Sequence, residues 1–213
     1  LDYVVVKIPK WPFKKFLTAN RELGTQMKAT GEVMAIAPTL EAALIKAIRS
    51  LEENVDSLRM SYLKEYTKEE IHDRLHRKDN ERIFVIAEAL RRGISMDEIC
   101  RITTIDKFFV GTIAKIVNME RELEVNYLNK ELLIKAKKFG FTDKVISSLS
   151  HKTIEEVKEL RMKNNIIANF KLVDTCSAEF EAKTPYYYSS YDEENEAIRN
   201  DKPKIMVLGS RTN

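Results

Sequence analysis

The chain has 213 residues, of which 44% are hydrophobic and 32% are charged, a balance that excludes a disordered or membrane-inserted protein. Its 36 basic and 33 acidic residues are interspersed, so the net charge of +3 offers little attraction for polyanions, and neither a nucleic acid nor a membrane is expected as a partner. The two cysteines, Cys100 and Cys176, lie far apart without a CxxC motif, which favours unpaired thiols in the reducing cytoplasm.

The first fifty residues mix strand and helix patterns. A β-branched run from Tyr3 to Ile8, stopped by Pro9, predicts a strand whose pairing partners this chain is not expected to supply. Residues 26–36 predict a second strand. Apolar residues at helical spacing then predict an amphipathic helix from about Leu40 to Glu53.

From Asn54 to Asn165 the apolar pattern changes to one helix after another. Three start signals have a hydroxyl residue followed three positions later by Glu: Thr67 with Glu70, Ser95 with Glu98, and Thr153 with Glu156. Gly93 and Gly140 mark helix ends. The sequence therefore predicts an all-helical domain over this range.

Within this domain a short pattern occurs twice at an offset of 47 residues. Gly93-Ile94-Ser95 in the first copy corresponds to Gly140-Phe141-Thr142 in the second. Each copy predicts a helix that ends at a glycine, followed by a hydroxyl residue that caps a short helix. The repeat therefore indicates two similar helical hairpins, which are too few for a solenoid.

After Asn165 the periodicity lapses, and we interpret the segment as an extended connector that includes the aromatic run Tyr186–Tyr188. The run Lys204–Gly209 is typical of the first strand of a Rossmann-like α/β unit. The chain begins without an initiator Met and stops directly after this run, so both ends predict a piece of a longer protein.

Several segments carry a resemblance to a known family. They are KIP at 7–9, TQMK at 25–28, GEVMAI at 31–36, AIRSLE at 47–52, IDKFF at 105–109, AKKFGFTD at 136–143, VDTCSAEF at 173–180 and AKTPYYYS at 182–189. Together they resemble, collinearly over essentially the whole chain, the large subunit of carbamoyl-phosphate synthetase. Ala37-Pro38-Thr39 departs from the family's usual Gly-Arg-Thr, and residues 209–213 depart from its Gly-x-Gly-Pro-Asn.

The resemblance implies a mainly α fold, in which a helical oligomerisation domain is flanked by truncated α/β segments. Residues 1–53 correspond to the C-terminal end of the first ATP-grasp (carboxyphosphate) domain, and residues 54–165 to the oligomerisation domain. Residues 166–203 correspond to an extended linker, and residues 204–213 to the first strand of the carbamoyl-phosphate domain.

The resemblance also implies a function, that of the scaffold and self-association segment of an ATP-dependent ligase. The full-length enzyme makes carbamoyl phosphate for arginine and pyrimidine biosynthesis from bicarbonate, glutamine-derived ammonia and two ATP. It uses ATP with Mg²⁺ or Mn²⁺, and its partner is a glutamine amidotransferase small subunit. Both ATP-grasp sites lie outside these residues, so no catalytic, cofactor-binding or metal residue is assigned here, and the isolated chain is expected to be inactive.

A few residues suggest local chemistry, each with a plainer alternative. His72 and His76, one helical turn apart beside Asp73, would suit a metal ion, but an exposed charged face is favoured because no third ligand is indicated. His151 is expected to be a solvated turn residue. Cys176 next to Thr175 suggests a nucleophile, but with no nearby histidine an inert buried thiol is favoured.

Two longer segments also suggest binding. Residues 139–163 follow the pattern of a DNA-binding helix-turn-helix, and a free-standing DNA-binding or adaptor module is the alternative to the scaffold. An ordinary packed hairpin is favoured, because Glu155, Glu156 and Glu159 would repel phosphate. Tyr186–Tyr188 would stack on a ligand, although packing against a neighbouring domain is favoured.

Overall fold

The structure, a computed structural model of the chain, describes residues 2–13, 18–51, 55–176, 179–180, 186–197, 203 and 205, and it is mainly α-helical as predicted. The helices of this part are α1 (Leu40–Arg49), α2 (Lys68–Arg74), α3 (Arg82–Arg91), α4 (Met96–Thr103), α5 (Lys107–Val125), α6 (Lys130–Lys138), α7 (Asp143–Ser150) and α8 (Ile154–Lys163). Its strands are β1 (Val4–Lys10), β2 (Gly31–Ala37), β3 (Asn169–Leu172) and β4 (Tyr187–Ser190), and a 3₁₀ helix spans Ser61–Glu65. The strand predicted over 204–209 lies outside the described residues, apart from residue 205.

The strands β1 and β2 pair with each other in an antiparallel two-stranded sheet. The register runs from Val4 opposite Ala37 to Lys10 opposite Gly31. The expectation that the first strand lacks a partner in this chain was therefore wrong, because the two β-prone runs match in length and pair across the segment that separates them. Pro9 is compatible with this strand because β1 is at an edge, where a missing N–H is tolerated.

Helix α1 packs on this sheet and also enters the core of the helical unit. Thr39 caps its first turn by accepting a hydrogen bond from the amide of Ala42 at 3.3 Å. The helix ends at Arg49, before the predicted end near residue 53. Its buried Ile45 and Ile48 belong to the same hydrophobic cluster as residues of α3, α5 and α7. The core of the helical unit therefore begins upstream of residue 54.

The predicted helix starts are confirmed as caps. Thr67 and Thr153 each form a complete capping box with the Glu three residues later. Ser95 accepts a hydrogen bond from the amide of Glu98 at 3.2 Å. The carboxylate of Glu98 lies 3.1 Å from His72 Nε2, so this side chain contacts α2 rather than its own cap.

The two predicted hairpins are α3–α4 and α6–α7, and both contain the same turn. Gly93 and Gly140 have positive φ angles of 76° and 89°. The following amides donate back across the turn, from Ile94 to Ala89 O at 3.0 Å and from Phe141 to Ala136 O at 3.2 Å. Because Ile94 and Phe141 are buried, each turn also anchors its hairpin in the core.

The repeat extends to the ends of the short helices. Thr104 and His151, which are also 47 residues apart, cap α4 and α7 in the left-handed conformation with φ angles of 56° and 55°. A third turn of the glycine type follows α8, where Asn165 has a φ angle of 52° and the amide of Ile166 donates to Arg161 O at 2.9 Å. Helix α5 contacts both hairpins.

The predicted connector contains a second antiparallel pair, which the sequence did not indicate. The register of β3 and β4 runs from Asn169 opposite Ser190 to Leu172 opposite Tyr187. Tyr188 in β4 is buried, and its ring centroid lies 5.8 Å from that of Tyr3. The connector therefore folds back onto the N-terminal sheet.

Candidate interaction surface

Two adjacent phenylalanines at the start of α5 form the most exposed aromatic pair on the helical unit. Asp106 caps this helix by accepting a hydrogen bond from the amide of Phe108 at 2.8 Å. The first turn thus presents Phe108 and Phe109 on the surface, where 64% and 53% of each residue is exposed. Their rings meet edge to face with centroids 5.3 Å apart. Leaving two such rings in water is unfavourable unless something covers them.

An apolar groove of about 610 Å³ lies beside this pair, between β1, α1, α3 and α5. Its apolar lining includes Ile8, Trp11, Leu44, Ile83, Phe109 and Ile113. Phe109 joins the groove to the exposed pair. We refer to Phe108, Phe109 and this groove as the α5 surface.

A buried ion-pair network links α5 to other parts of the helical unit. The carboxylate of Glu120 in α5 is fully buried and accepts hydrogen bonds from Arg59 Nε and Arg91 Nε, each at 2.9 Å. Arg91 also donates to Leu58 O at 2.8 Å. Because charges in the interior need close partners, this arrangement fixes the 55–60 segment and α3 against α5.

The network continues along the end of α3 to the 3₁₀ helix. Glu88 pairs with Arg91 at 3.1 Å and with Arg92 at 2.9 Å. Arg92 also donates to the carbonyls of Leu63 and Tyr66. Sequence reasoning missed this network, because Glu and Arg on a helix ordinarily indicate a solvated face and the partner segment is distant in the chain.

The opposite end of α5 carries a second, smaller exposed apolar site. Val125 ends the helix with 78% of the residue exposed, and Tyr127 follows it. The Lys152 ammonium lies 5.5 Å from the centroid of the Tyr127 ring. The ring of Tyr127 thus already has an internal contact, whereas Phe108 and Phe109 contact each other and adjoin the groove.

The histidine pair is not assembled as a metal site. His76 lies beyond the end of α2, and its ring meets that of His72 edge to face with centroids 6.1 Å apart. Among the described residues, no group of three or more His, Cys, Asp or Glu side chains is placed to hold a metal ion. His72 is half-buried, whereas His76 and Asp73 are exposed.

The other single-residue candidates lie apart from this pair. His151 is exposed at the C-cap of α7. Cys176 is half-buried rather than buried as expected, because it lies in a turn, where its amide donates to Asp174 Oδ1 at 3.0 Å. Its sulfur lies 3.8 Å from the hydroxyl oxygen of Thr175.

In the predicted helix-turn-helix segment, α7 packs against α8, and some of its basic side chains form ion pairs. Arg161 pairs with Asp143 at 3.1 Å, and the same carboxylate pairs at 2.8 Å with the buried Lys137, which lies just before the segment. Burial alone would raise the pKa of Asp143, but the hydrogen bond and charge of Lys137, with those of Arg161, hold it below its ordinary value. Glu155, Glu156 and Glu159 are all exposed on α8.

The tyrosine run is divided between the interior and the solvent. Tyr186 and Tyr187 are exposed, whereas Tyr188 is buried against Tyr3. No described α-helix has the length and apolarity needed to cross a membrane.

A comparison with protein families identifies a match for the helical unit. The model of the family described as carbamoyl-phosphate synthetase large chain, oligomerisation domain, matches residues 32–165. The matched range contains all eight described helices and most of β2. It therefore includes both hairpins, the ion-pair network and the part of the α5 surface contributed by α1, α3 and α5.

Proposed function

The chain belongs to the oligomerisation-domain family of the carbamoyl-phosphate synthetase large chain, and we propose that its helical unit is a scaffold through which two copies associate. The family match carries this proposal. The α5 surface supports it, because the exposed Phe108 and Phe109 lie beside an apolar groove that a second copy would cover.

A two-fold contact through the α5 surface is the simplest arrangement. In such an interface the same patch serves both subunits, so each Phe108 would enter the groove of the other copy. Stable interfaces bury on the order of 1,200 to 2,000 Å² in total, with an aromatic centre and a polar rim. The Lys107–Asp97 ion pair at 2.8 Å is exposed next to Phe108 and would lie in that rim.

We further propose that the parent of this segment is the glutamine-hydrolysing ligase. The full-length enzyme would make carbamoyl phosphate from bicarbonate, glutamine-derived ammonia and two ATP, with Mg²⁺ or Mn²⁺, for arginine and pyrimidine biosynthesis in the cytoplasm. A glutamine amidotransferase small subunit would supply the ammonia. An assay of carbamoyl phosphate synthesis by the full-length parent tests this. We expect activity with glutamine when the small subunit is present, and activity with ammonia when it is absent.

Sedimentation equilibrium of the 213-residue chain at tens of micromolar tests the association. We expect a species with twice the 24.7 kDa mass of one chain. Phe108→Ser should shift the equilibrium towards the monomer by removing the exposed ring from the contact, whereas Val125→Ser at the other end of α5 should leave it unchanged. Circular dichroism shows whether both variants stay folded.

Two outcomes would contradict the proposal at different levels. A chain that remains a 24.7 kDa species over the whole concentration range would argue against self-association of this segment. Association that persists in Phe108→Ser but is lost in Val125→Ser would instead place the interface at the opposite end of α5.

A further inference from the structure

A second pocket, of about 360 Å³, lies between the start of α1, the turn that joins α6 and α7, and the end of β4. It is separate from the α5 surface. Its charged lining residues are Lys46, Arg49, Lys137, Lys138, Asp143 and Asp192. We call it the basic pocket, since four of these six side chains are cationic.

The two carboxylates of the basic pocket are already engaged. Asp143 is held by Lys137 at 2.8 Å and by Arg161 at 3.1 Å. Asp192 accepts a hydrogen bond from Ser190 Oγ at 3.2 Å and lies 3.9 Å from Lys171. The two carboxylates therefore pair with Lys137 and with residues outside the pocket. They do not pair with the other three cations of the pocket, Lys46, Arg49 and Lys138.

Lys46 and Arg49 form no ion pair with a carboxylate in the described part of the chain. The ammonium of Lys46 donates to the carbonyls of Ile36 at 2.9 Å and Ser189 at 2.8 Å. Burial, and then the nearby charge of Arg49, lower the pKa of Lys46 to about 8. Both effects disfavour the charged form of Lys46, and the charge attraction of a bound anion would offset them.

Arg49 and Lys138 keep donors that a ligand can use. Arg49 donates from Nη1 to Gly140 O at 3.1 Å, which is its single hydrogen bond to the described residues, so most of its five N–H donors remain available. Within the described residues, the one ion pair of Lys138 is with the exposed Glu193, at 4.0 Å. Two further pocket residues, Thr39 and Thr142, cap the positive ends of α1 and α7, which adds to the favourable field.

We propose that the basic pocket binds a phosphate group, either on a small phosphorylated metabolite or as inorganic phosphate. A planar guanidinium beside two ammonium groups suits the several oxygens of a doubly charged tetrahedral anion better than a single chloride. The pocket volume is at the lower end of the range for small-molecule sites, so the rest of the ligand is small.

Binding at this position would connect three parts of the fold. Lys46 and Arg49 belong to α1, Lys138 ends α6, and Ser189 and Ser190 at the rim belong to β4. A bound phosphate would therefore hold the connector strand against the helical unit. Slower amide exchange in Tyr187–Ser190 is the expected structural signature.

Isothermal titration of the 213-residue chain with inorganic phosphate and with glycerol 3-phosphate tests the proposal, and sodium chloride of equal ionic strength is the blank. We expect saturable binding in the millimolar range and slower exchange of β4 amides. Lys138→Gln and Arg49→Gln should each weaken binding about tenfold or more, which is a clear step in affinity. Arg49→Lys should bind more tightly than Arg49→Gln but less tightly than the unchanged chain, because lysine keeps the positive charge but lacks the planar guanidinium with its paired N–H donors.

Lys158→Gln is the matched control, because it removes one exposed cation from α8, which does not line the basic pocket. If glycerol 3-phosphate binds more tightly than inorganic phosphate, the ligand is a phosphorylated metabolite. If the two bind equally, the pocket recognises the phosphate group alone. The proposal is overturned if chloride reproduces the heat, or if Lys158→Gln weakens binding as much as Lys138→Gln. Circular dichroism of the variants separates lost binding from lost folding.

Discussion

Glu120 shows how a single ionised residue determines the arrangement of the helical unit. Its carboxylate has no exposure to solvent and lies between two arginines that come from different parts of the chain, Arg59 and Arg91. Such a group is stable as long as both partners remain, and removing it leaves two guanidinium groups without their common counter-ion. The residue therefore determines how the 55–60 segment meets α3 and α5.

We predict that Glu120→Ala lowers the free energy of unfolding by about 3 to 5 kcal/mol, the usual effect of breaking a buried ion pair. Glu124→Ala is the matched control, because Glu124 lies one turn further along α5 and pairs with Arg59 at 2.8 Å near the surface. Its loss should change stability by about 1 kcal/mol or less. Urea unfolding followed by circular dichroism measures both, and equal losses would mean that the burial of Glu120 has no energetic role.

At the scale of the elements, the two glycine turns look alike but have different surroundings. A Cβ atom added at Gly93 would meet nothing within 4 Å, whereas one at Gly140 would lie 3.2 Å from the carbonyl oxygen of Ala42 in α1. The α6–α7 turn thus needs a glycine both for its positive φ angle and for the close approach of α1. The α3–α4 turn needs one for the φ angle alone.

Gly93→Ala should therefore cost about 1 to 2 kcal/mol, which is the left-handed backbone penalty for a residue with a Cβ atom. Gly140→Ala should cost more, because the backbone of α1 must also move. Thermal unfolding of the two variants under identical conditions gives the comparison. A Gly140→Ala variant as stable as Gly93→Ala would show that α1 is not held tightly against this turn.

Helix α1 also determines where an independently folding fragment can begin. The boundary at residue 53 is still a prediction, but α1 places Ile45 and Ile48 in the core of the helical unit. Burying each such side chain contributes about 1.5 to 3 kcal/mol. We expect fragment 38–165 to unfold cooperatively in urea, and fragment 54–165 to be less stable by several kcal/mol. Equal urea midpoints for the two fragments would mean that α1 does not stabilise the helical unit.

Local elements could be predicted from the sequence, whereas the contacts between distant segments could not. The capping boxes at Thr67 and Thr153 and the turns at Gly93 and Gly140 depend on residues within one or two helical turns. The turn at Asn165 was missed because an asparagine signals the left-handed conformation less strongly than a glycine. The β1–β2 and β3–β4 pairs depend on long-range register, which no local pattern specifies.

The candidate sites show the same division. The α5 surface is not evident from the sequence, because Phe108 and Phe109 follow Ile105 at helical spacing and so look like ordinary core residues, whereas the fold leaves them exposed. The basic pocket is assembled from α1, α6 and β4, which lie far apart in the chain. The family resemblance, in contrast, depended on linear order and was confirmed over residues 32–165.

For the whole molecule, we predict that the isolated chain neither hydrolyses Mg-ATP nor binds it in the micromolar range. Phosphoryl transfer requires donors fixed around the phosphates and carboxylates that hold Mg²⁺. In the basic pocket, Asp143 is engaged by Lys137 and Arg161, so a phosphate group there would lack a carboxylate pair for the metal ion. Exposed ion pairs elsewhere contribute only about 1 kcal/mol or less.

Calorimetric titration with Mg-ATP and an assay of phosphate release test this prediction on the 213-residue chain. We expect no saturable heat in the micromolar range and no turnover above the buffer rate. Saturable micromolar binding that is lost on substitutions within 1–53 would mean that the ATP-grasp segment retains a nucleotide site. Lys138→Gln distinguishes that result from weak binding in the basic pocket, because Lys138 lines the pocket but lies outside that segment. Any saturable micromolar binding would contradict the prediction, and an affinity unchanged in Lys138→Gln would place the nucleotide away from the basic pocket.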